Sequence, residues 1–297
     1  MGFGVFRRQR ARDSVRDMVE VTPFSAALGA VVFGVDAAHA TDDDIAAVRA
    51  AVVEHLVVVL PGQQLDDQQH EAFMARFGPL HFHPFLRLMD VPETNVQMIE
   101  QTMESPSGVD NWHTDLIFVP EPVAFGSLHC LTAPSFGGGT EFANMQLAYE
   151  QLDPRWRMMA ESIELEYQLS TAMLDNFARY FGDEARQVWI DALAGTVHPI
   201  VRTHPESGRT GLFFSPDTDP KVVGMDRRGS RAVLDYLAGH CARPNVTARW
   251  TWSDGDLLLW DERATMHYGV RDGYPGDRVM RRILVDGDKP YFDPTAT

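Results

Sequence analysis

Short apolar runs separated by glycine, proline and polar residues recur along most of the chain. Residues 20–36 contain two such runs and predict short strands joined by a glycine turn. Residues 56–60 are an uninterrupted apolar run before a Pro-Gly pair, which predicts a buried strand. Residues 101–111 are polar and rich in turn formers, and predict a loop. Beyond residue 112 the apolar runs stay short, a pattern typical of a β-sandwich or barrel.

Helical patterns interrupt the strands in four places. Thr41 can cap a helix over residues 42–56, whose first three residues are acidic and suit the positive end of a helix. A second helix is predicted over residues 66–77, before a Gly-Pro pair. Further helical inserts are expected around residues 145–192 and 228–240. The sequence therefore predicts a mainly β (α+β) fold, with helices flanking an all-β core.

Length and charge limit the function classes. With 297 residues, 44% of them hydrophobic, and no internal repeat or linker, we expect one domain over residues 20–297 and a flexible, Arg-rich arm over residues 1–19. A net charge of −16 argues against a nucleic-acid binder and against adhesion to an anionic membrane. No apolar run approaches the ~18 residues of a membrane span. Cys130 and Cys241 indicate neither a disulfide framework nor a CxxC site, so we expect a cytoplasmic protein.

The triplet His113-Thr114-Asp115 is the first candidate for chemistry. On a strand, residues i and i+2 share a face, so the imidazole and the carboxylate would point to one place. Among 11 histidines, about one His-x-Asp is expected by chance, so the triplet alone carries little weight. A structural histidine beside a surface aspartate is the alternative.

His267 supports the metal interpretation. It follows the apolar run Leu257–Leu259 and lies in the segment Trp260–His267, at the end of a late predicted strand. Together with His113 and Asp115, it could complete a facial triad of two histidines and one carboxylate, which leaves three positions open on Fe(II). The alternative is a core histidine with ordinary hydrogen bonds.

Arg278 and Arg282 lie in a strand-like segment and share one face of it. Arginines that point into a β-core need anionic partners, because an unpaired buried charge is costly. A dicarboxylate could supply one of these partners. The alternative is that both arginines are paired at the surface.

The order and spacing of these motifs resemble the taurine dioxygenase family of iron(II)/2-oxoglutarate enzymes, which includes alkylsulfatases and 2,4-dichlorophenoxyacetate dioxygenases. The resemblance extends from about residue 20 to residue 292 and implies a double-stranded β-helix, or jelly-roll, of the cupin type. Its landmarks are VVVLPGQ (57–63), FGPLHFHP (77–84), NWHTD (111–115), GGT (138–140), HPIVRTHP (198–205), WDERATMHY (260–268), RVMRR (278–282) and GD (287–288).

The resemblance implies a role for each matching residue. His113, Asp115 and His267 would bind Fe(II), while Thr140 and Arg278 would bind the distal carboxylate of 2-oxoglutarate. Thr140 could instead be an ordinary strand residue after a glycine-rich turn.

Four positions match the part of the family's site that meets the prime substrate. Arg282 matches a position that meets a sulfonate, and His83 matches another substrate-contacting position, although His83 could equally cap a loop. Leu86 and Val109 replace a tyrosine and an asparagine of the taurine-specific pattern. These replacements leave a more apolar wall and disfavour taurine. Because Asp115 is present, hydroxylation is favoured over halogenation.

The expected activity is that of a dioxygenase that uses Fe(II), 2-oxoglutarate and O₂, and releases succinate and CO₂. It would hydroxylate a small, anionic and partly apolar molecule, with cleavage as a following step. The alternative is a cupin-like metal-binding isomerase or sensing module, which would not need Arg278 or Thr140. The oligomeric state is left open, with a homo-oligomer as one option.

Overall fold

The computed structural model describes residues 18–82, 95–102, 111–167 and 196–296, with scattered positions between 174 and 190. The predicted N-terminal arm therefore lies almost wholly outside the described residues. Among the residues described, no helix is long and apolar enough to cross a membrane.

The N-terminal elements follow the predicted order. They are β1 (Glu20–Pro23), β2 (Ala30–Phe33), α1 (Asp42–His55), β3 (Val57–Leu60) and α2 (Asp67–Met74).

Capping side chains determine where the two helices begin. The Thr41 hydroxyl accepts from the Asp44 amide, and the Asp44 carboxylate accepts from the Thr41 amide. Asp66 and Gln69 form the same reciprocal pair at the start of α2. The first helix ends because Leu56 has a φ of 66°, so Leu56 caps the helix instead of starting the next strand.

A seven-stranded sheet, the major sheet, forms one half of the core. It adds β4 (Gln97–Gln101), β5 (Phe125–Thr132), β13 (Leu257–Asp261) and β15 (Arg278–Val285), in the order β1-β2-β3-β13-β5-β15-β4. The outer face of this sheet is covered by α1 and α2 through a cluster of buried apolar side chains that includes Val48, Val52, Phe73, Leu259 and Ile283.

A three-stranded sheet, the minor sheet, faces the major one. It consists of β12 (Thr247–Trp250), β6 (Thr140–Asn144) and β14 (Thr265–Gly269), in the order β12-β6-β14. Phe142 from the minor sheet packs against Trp260 from the major sheet, with ring centroids 5.9 Å apart. Two facing sheets with helices outside them form the predicted jelly-roll core.

Among the described residues, most of the remaining strands and α-helices contribute to an apolar cluster that they share with Met266 of the minor sheet. These remaining strands and helices are α3 (Met145–Glu150), α4 (Pro154–Ala160), β7 (Glu164–Tyr167), β8 (Thr196–Pro199), β9 (Val201–Thr203), β10 (Thr210–Leu212), β11 (Lys221–Val222) and α5 (Arg227–Cys241).

The two helical inserts have different outcomes. The insert predicted at residues 228–240 is confirmed as α5. The insert predicted at residues 145–192 is helical at α3 and α4 but wrong at β7. In β7 the fully buried Leu165 and Tyr167 alternate with the more exposed Glu164 and Glu166. This period of two suits a strand that pairs with β8 and β11.

Candidate metal centre and co-substrate site

His113 and His267 are joined through their backbones. The His113 amide donates to the His267 carbonyl at 3.0 Å, and the His267 amide donates to the His113 carbonyl at 2.8 Å. This exchange places His113 beside the free edge of β14, and the two imidazole centroids lie 4.2 Å apart. The expected strand over residues 113–115 is reduced to this single bridge.

Asp115 completes the cluster that the sequence predicts. One ligand atom from each of His113, Asp115 and His267 lies within 4.8 Å of the others, and all three residues are buried. The His113 Nε2 atom is 3.7 Å from an Asp115 carboxylate oxygen. Leu116, the next residue, has a φ of 50°, so the chain turns sharply after the carboxylate.

The hydrogen bonds and the protonation of the two histidines suit metal binding. His113 Nδ1 lies 2.9 Å from the Asn111 carbonyl, which leaves Nε2 directed toward Asp115. His267 Nδ1 is buried and has no hydrogen-bond partner among the described residues. Burial, with the nearby charge of His113, holds the pKa of His267 well below its ordinary value. Two imidazoles and a carboxylate are a donor set that fits Fe(II).

Arg282 lies directly against Asp115. Its Nη1 atom donates to both carboxylate oxygens, at 3.2 and 3.0 Å, while Nε and Nη2 donate to the Gln97 side-chain oxygen. Burial raises the pKa of Asp115, but Arg282 and the two imidazoles outweigh it and bring the pKa below its ordinary value. Arg282 therefore has a carboxylate partner within the protein, and that partner belongs to the candidate metal centre.

Arg278 occupies a second, more deeply buried position on the same face of β15. It donates from Nη1 to the Gln101 side chain and from Nη2 to the Thr140 hydroxyl, both at 3.2 Å. The Thr140 hydroxyl also accepts from the Trp252 indole at 3.0 Å. Arg278 is 4% exposed, its Nε atom has no partner, and it forms no ion pair among the described residues. A buried guanidinium with neutral partners fits an anionic ligand.

A sequence profile of the family described as "Taurine catabolism dioxygenase TauD, TfdA family" matches residues 20–284. The chain belongs to this family. An α-ketoglutarate-dependent sulfate ester dioxygenase of Pseudomonas putida is 31% identical over 280 residues, which cover 92% of this chain and 91% of that protein.

Solved structures agree with the family assignment. A taurine dioxygenase from Burkholderia xenovorans superposes with a TM-score of 0.76 at 32% identity, and the match covers 94% of this chain and 92% of the other. AAD-2, in complex with Mn(II) and N-oxalylglycine, superposes with a TM-score of 0.72 at 27% identity, over 93% of this chain and 100% of the other.

This TauD/TfdA member is thus a 2-oxoglutarate (α-ketoglutarate)-dependent dioxygenase with Fe(II), 2-oxoglutarate and O₂ as cofactor and co-substrates. The predicted jelly-roll fold and the predicted enzyme class are confirmed. The matching relatives are dioxygenases, so they do not support the alternative of a metal-binding isomerase or sensing module.

The structure adds residues that the sequence did not indicate. Gln97 and Gln101 lie opposite Arg282 and Arg278 in the β4–β15 register, and each accepts from its cross-strand arginine. The two glutamines are four residues apart in β4, as the two arginines are in β15. This matching spacing indicates cross-strand pairs only if β4 is taken to pair with β15. His83, Leu86 and Val109 lie outside the described residues.

Glu262 was also missed. It is fully buried and accepts from the Asp115 amide at 3.2 Å and from the Trp260 indole at 2.6 Å. Burial and the negative charge of Asp115 raise the pKa of Glu262 well above its ordinary value.

Proposed function

We propose that the enzyme hydroxylates a small organic substrate that carries an anionic group and an apolar portion, with oxidative cleavage as a following step for suitable substrates. 2-Oxoglutarate is converted to succinate and CO₂ in the same turnover. The single observation that carries the proposal is the pair of inner-face arginines, one deeply buried and one half-buried, beside the cluster of His113, Asp115 and His267.

His113, Asp115 and His267 are proposed to hold Fe(II). When bound with 2-oxoglutarate, the iron supplies the activation of O₂ that oxidises a substrate C–H bond. The protein contributes orientation: the backbone exchange fixes the two histidines, and the low pKa values of His267 and Asp115 keep both side chains in the forms that ligate a metal at neutral pH.

Arg278 and Thr140 are proposed to bind the distal carboxylate of 2-oxoglutarate. Arg278 is a buried cation with no carboxylate partner among the described residues, so a ligand carboxylate would offset its desolvation. Trp252 contributes in two ways, since its indole fixes the Thr140 hydroxyl and its ring lies 5.6 Å from the Arg278 guanidinium.

Arg282 is proposed to meet the anionic group of the prime substrate. Its side chain is 25% exposed, whereas that of its partner Asp115 is 9% exposed. A metal ion bound to Asp115 would share the carboxylate charge, so Arg282 would retain attraction for a second anion. His83, Leu86 and Val109 are proposed to line the rest of this site, the last two as apolar wall. The sulfate ester dioxygenase relative is consistent with an anionic substrate.

Succinate release tests the proposal. The enzyme, supplied with Fe(II), 2-oxoglutarate and O₂, is screened against alkyl sulfates, alkyl sulfonates, aryloxy acids, amino acids and taurine. The proposal expects faster substrate-dependent succinate release with apolar anions than with taurine. Preference for a neutral or cationic substrate would contradict the assignment of Arg282 and leave the reaction class intact.

The proposed location is the cytoplasm. Cys130 and Cys241 are both free and fully buried, which is compatible with a reducing compartment.

A further inference from the structure

Glu262 connects two walls of the candidate metal centre. It follows β13 directly, is fully buried, and presents one carboxyl oxygen to the Trp260 indole and the other to the Asp115 amide. We propose that Glu262 is a positioning residue: its two oxygens hold the Asp115 backbone and the Trp260 ring so that Asp115 and His267 face the same metal ion. This inference rests on the proposed ligand roles of Asp115 and His267.

On the Asp115 side, Glu262 supplies the one hydrogen bond found for the Asp115 amide among the described residues. The chain needs this restraint, because Leu116 has a φ of 50°, which is unfavourable for a residue with a branched side chain. Without Glu262, the Asp115 amide would be a buried donor with no acceptor. The backbone would then shift, and the carboxylate that it carries would shift as well.

On the Trp260 side, Glu262 fixes the ring that supports His267. The Trp260 and His267 ring centroids are 4.9 Å apart. The indole also lies close to the backbone of Gly126, where an added Cβ would come within 2.2 Å of the ring. The indole therefore packs against both Gly126 and His267, and its hydrogen bond to Glu262 fixes its orientation.

The geometry requires two acceptors at position 262. A glutamine of the same size has one acceptor oxygen, and its amide NH₂ must face either the indole N–H or the Asp115 N–H. Glu262→Gln therefore leaves one donor facing another donor. Removal of the indole N–H with Trp260→Phe relieves that conflict, because the glutamine oxygen can then accept from the Asp115 amide. The double variant should bind metal more tightly than Glu262→Gln alone.

Asp256 provides a matched control. It is 3% exposed and accepts from an indole, that of Trp250, at 3.0 Å and from a backbone amide, that of Ser253, at 2.9 Å. The donors are of the same kind as those at Glu262, but Asp256 lies at the other end of β13 and contacts none of the three candidate ligands. Both donors bond the same oxygen, Oδ2, so the single amide oxygen of an asparagine can still accept from both. Asp256→Asn thus makes the same carboxylate-to-amide change without losing a needed acceptor and without touching the metal centre.

The test titrates Co(II), and Fe(II) under anaerobic conditions, into the metal-free full chain, with Tm measured in parallel. Glu262→Gln should weaken metal binding by about 10- to 100-fold, the usual effect of losing the partner of a metal ligand. The visible Co(II) bands should shift, and Trp260→Phe should restore affinity to the Glu262→Gln background while lowering Tm further. Asp256→Asn should leave metal affinity unchanged.

The outcomes distinguish the positioning role of Glu262 from the ligand roles of Asp115 and His267. The role of Glu262 would be overturned if Glu262→Gln left metal affinity unchanged. It would also be overturned if Glu262→Gln and Asp256→Asn lost metal affinity to the same extent. Failure of the unaltered chain to bind Co(II) or Fe(II) would instead contradict the ligand roles of Asp115 and His267. If Glu262→Gln does not accumulate as folded protein, the double variant is compared with Trp260→Phe. Equal metal affinity supports the proposal, and a tenfold or larger loss overturns it.

Discussion

Arg282 donates from a single guanidinium nitrogen to both carboxylate oxygens of Asp115, at 3.2 and 3.0 Å. The residue proposed to meet the prime substrate is thus in direct contact with a proposed metal ligand. Gln97 accepts from the other two nitrogens of Arg282 and holds the guanidinium in this orientation. A substrate anion near Arg282 would therefore lie close to the metal centre.

The first prediction concerns the prime substrate. Arg282→Ala should raise the KM for an anionic substrate, with an effect of about 2–5 kcal/mol if the charge pair is fully desolvated and less if water enters. The Kd for 2-oxoglutarate should change little, because Arg278 and Thr140 remain in place. Steady-state kinetics with the best substrate of the panel provides the measurement.

Arg281 is the matched control for Arg282. It is the neighbouring residue on β15 but points to the outer face, where it donates to the Leu65 carbonyl and pairs with Asp67. Arg281→Ala removes the same charge from the same strand and should leave the KM for substrate unchanged. Equal effects of the two substitutions would contradict a specific role for Arg282.

The second prediction concerns the co-substrate. Arg278→Ala should raise the Kd for 2-oxoglutarate by tens-fold or more, since loss of one partner of a buried charge pair costs about 2–5 kcal/mol. Thr140→Val should have a smaller effect, because it removes a neutral partner. Anaerobic titration of the Fe(II)-loaded protein with 2-oxoglutarate measures both values. A Kd that does not change in Arg278→Ala would remove this residue from the co-substrate site.

The third prediction concerns acid stability. Burial lowers the pKa of His70 to about 3, and His70 Nε2 lies 2.9 Å from the Ser127 hydroxyl. Below a pH of about 6.5 the unfolded chain takes up a proton at His70 that the folded chain does not, so stability falls as the pH falls. This residue alone should remove about 2 kcal/mol of the free energy of unfolding between pH 7 and pH 5.

Urea unfolding at pH 7 and pH 5 checks the acid-stability prediction. His70→Gln should show a smaller loss of stability over this interval than the unaltered chain. His39→Gln replaces an exposed histidine and should keep the original pH dependence. If His70→Gln also kept the original pH dependence of stability, the attribution of the acid sensitivity to His70 would be wrong.

Much of the fold could be predicted because local signals and packing agree. Thr41 and Asp66 cap the first two helices, and the apolar run before Pro61 becomes a fully buried strand. The failure at β7 has a local cause: a strand of four residues inside a helical insert offers too few positions to show a period of two.

The candidate site was only partly predictable from the sequence. The His-x-Asp spacing predicted that His113 and Asp115 lie together, although the segment forms one bridge followed by a sharp turn instead of a strand. Contacts between residues distant in sequence gave no local signal. Arg282 is 167 positions from Asp115, and Glu262 is 147 positions from it, so both contacts depend on how the two sheets face each other.

The central claim is that His113, Asp115 and His267 hold Fe(II) for 2-oxoglutarate chemistry. The most direct test is the weak visible charge-transfer band of a chelated 2-oxo acid, recorded anaerobically with Fe(II) and 2-oxoglutarate. The band should be present in the unaltered chain, absent in Asp115→Ala and His267→Ala, and retained in His240→Gln, a buried histidine that contacts the Ala148 carbonyl instead of this site. A full band in Asp115→Ala or His267→Ala, or none in the unaltered chain, would contradict the account.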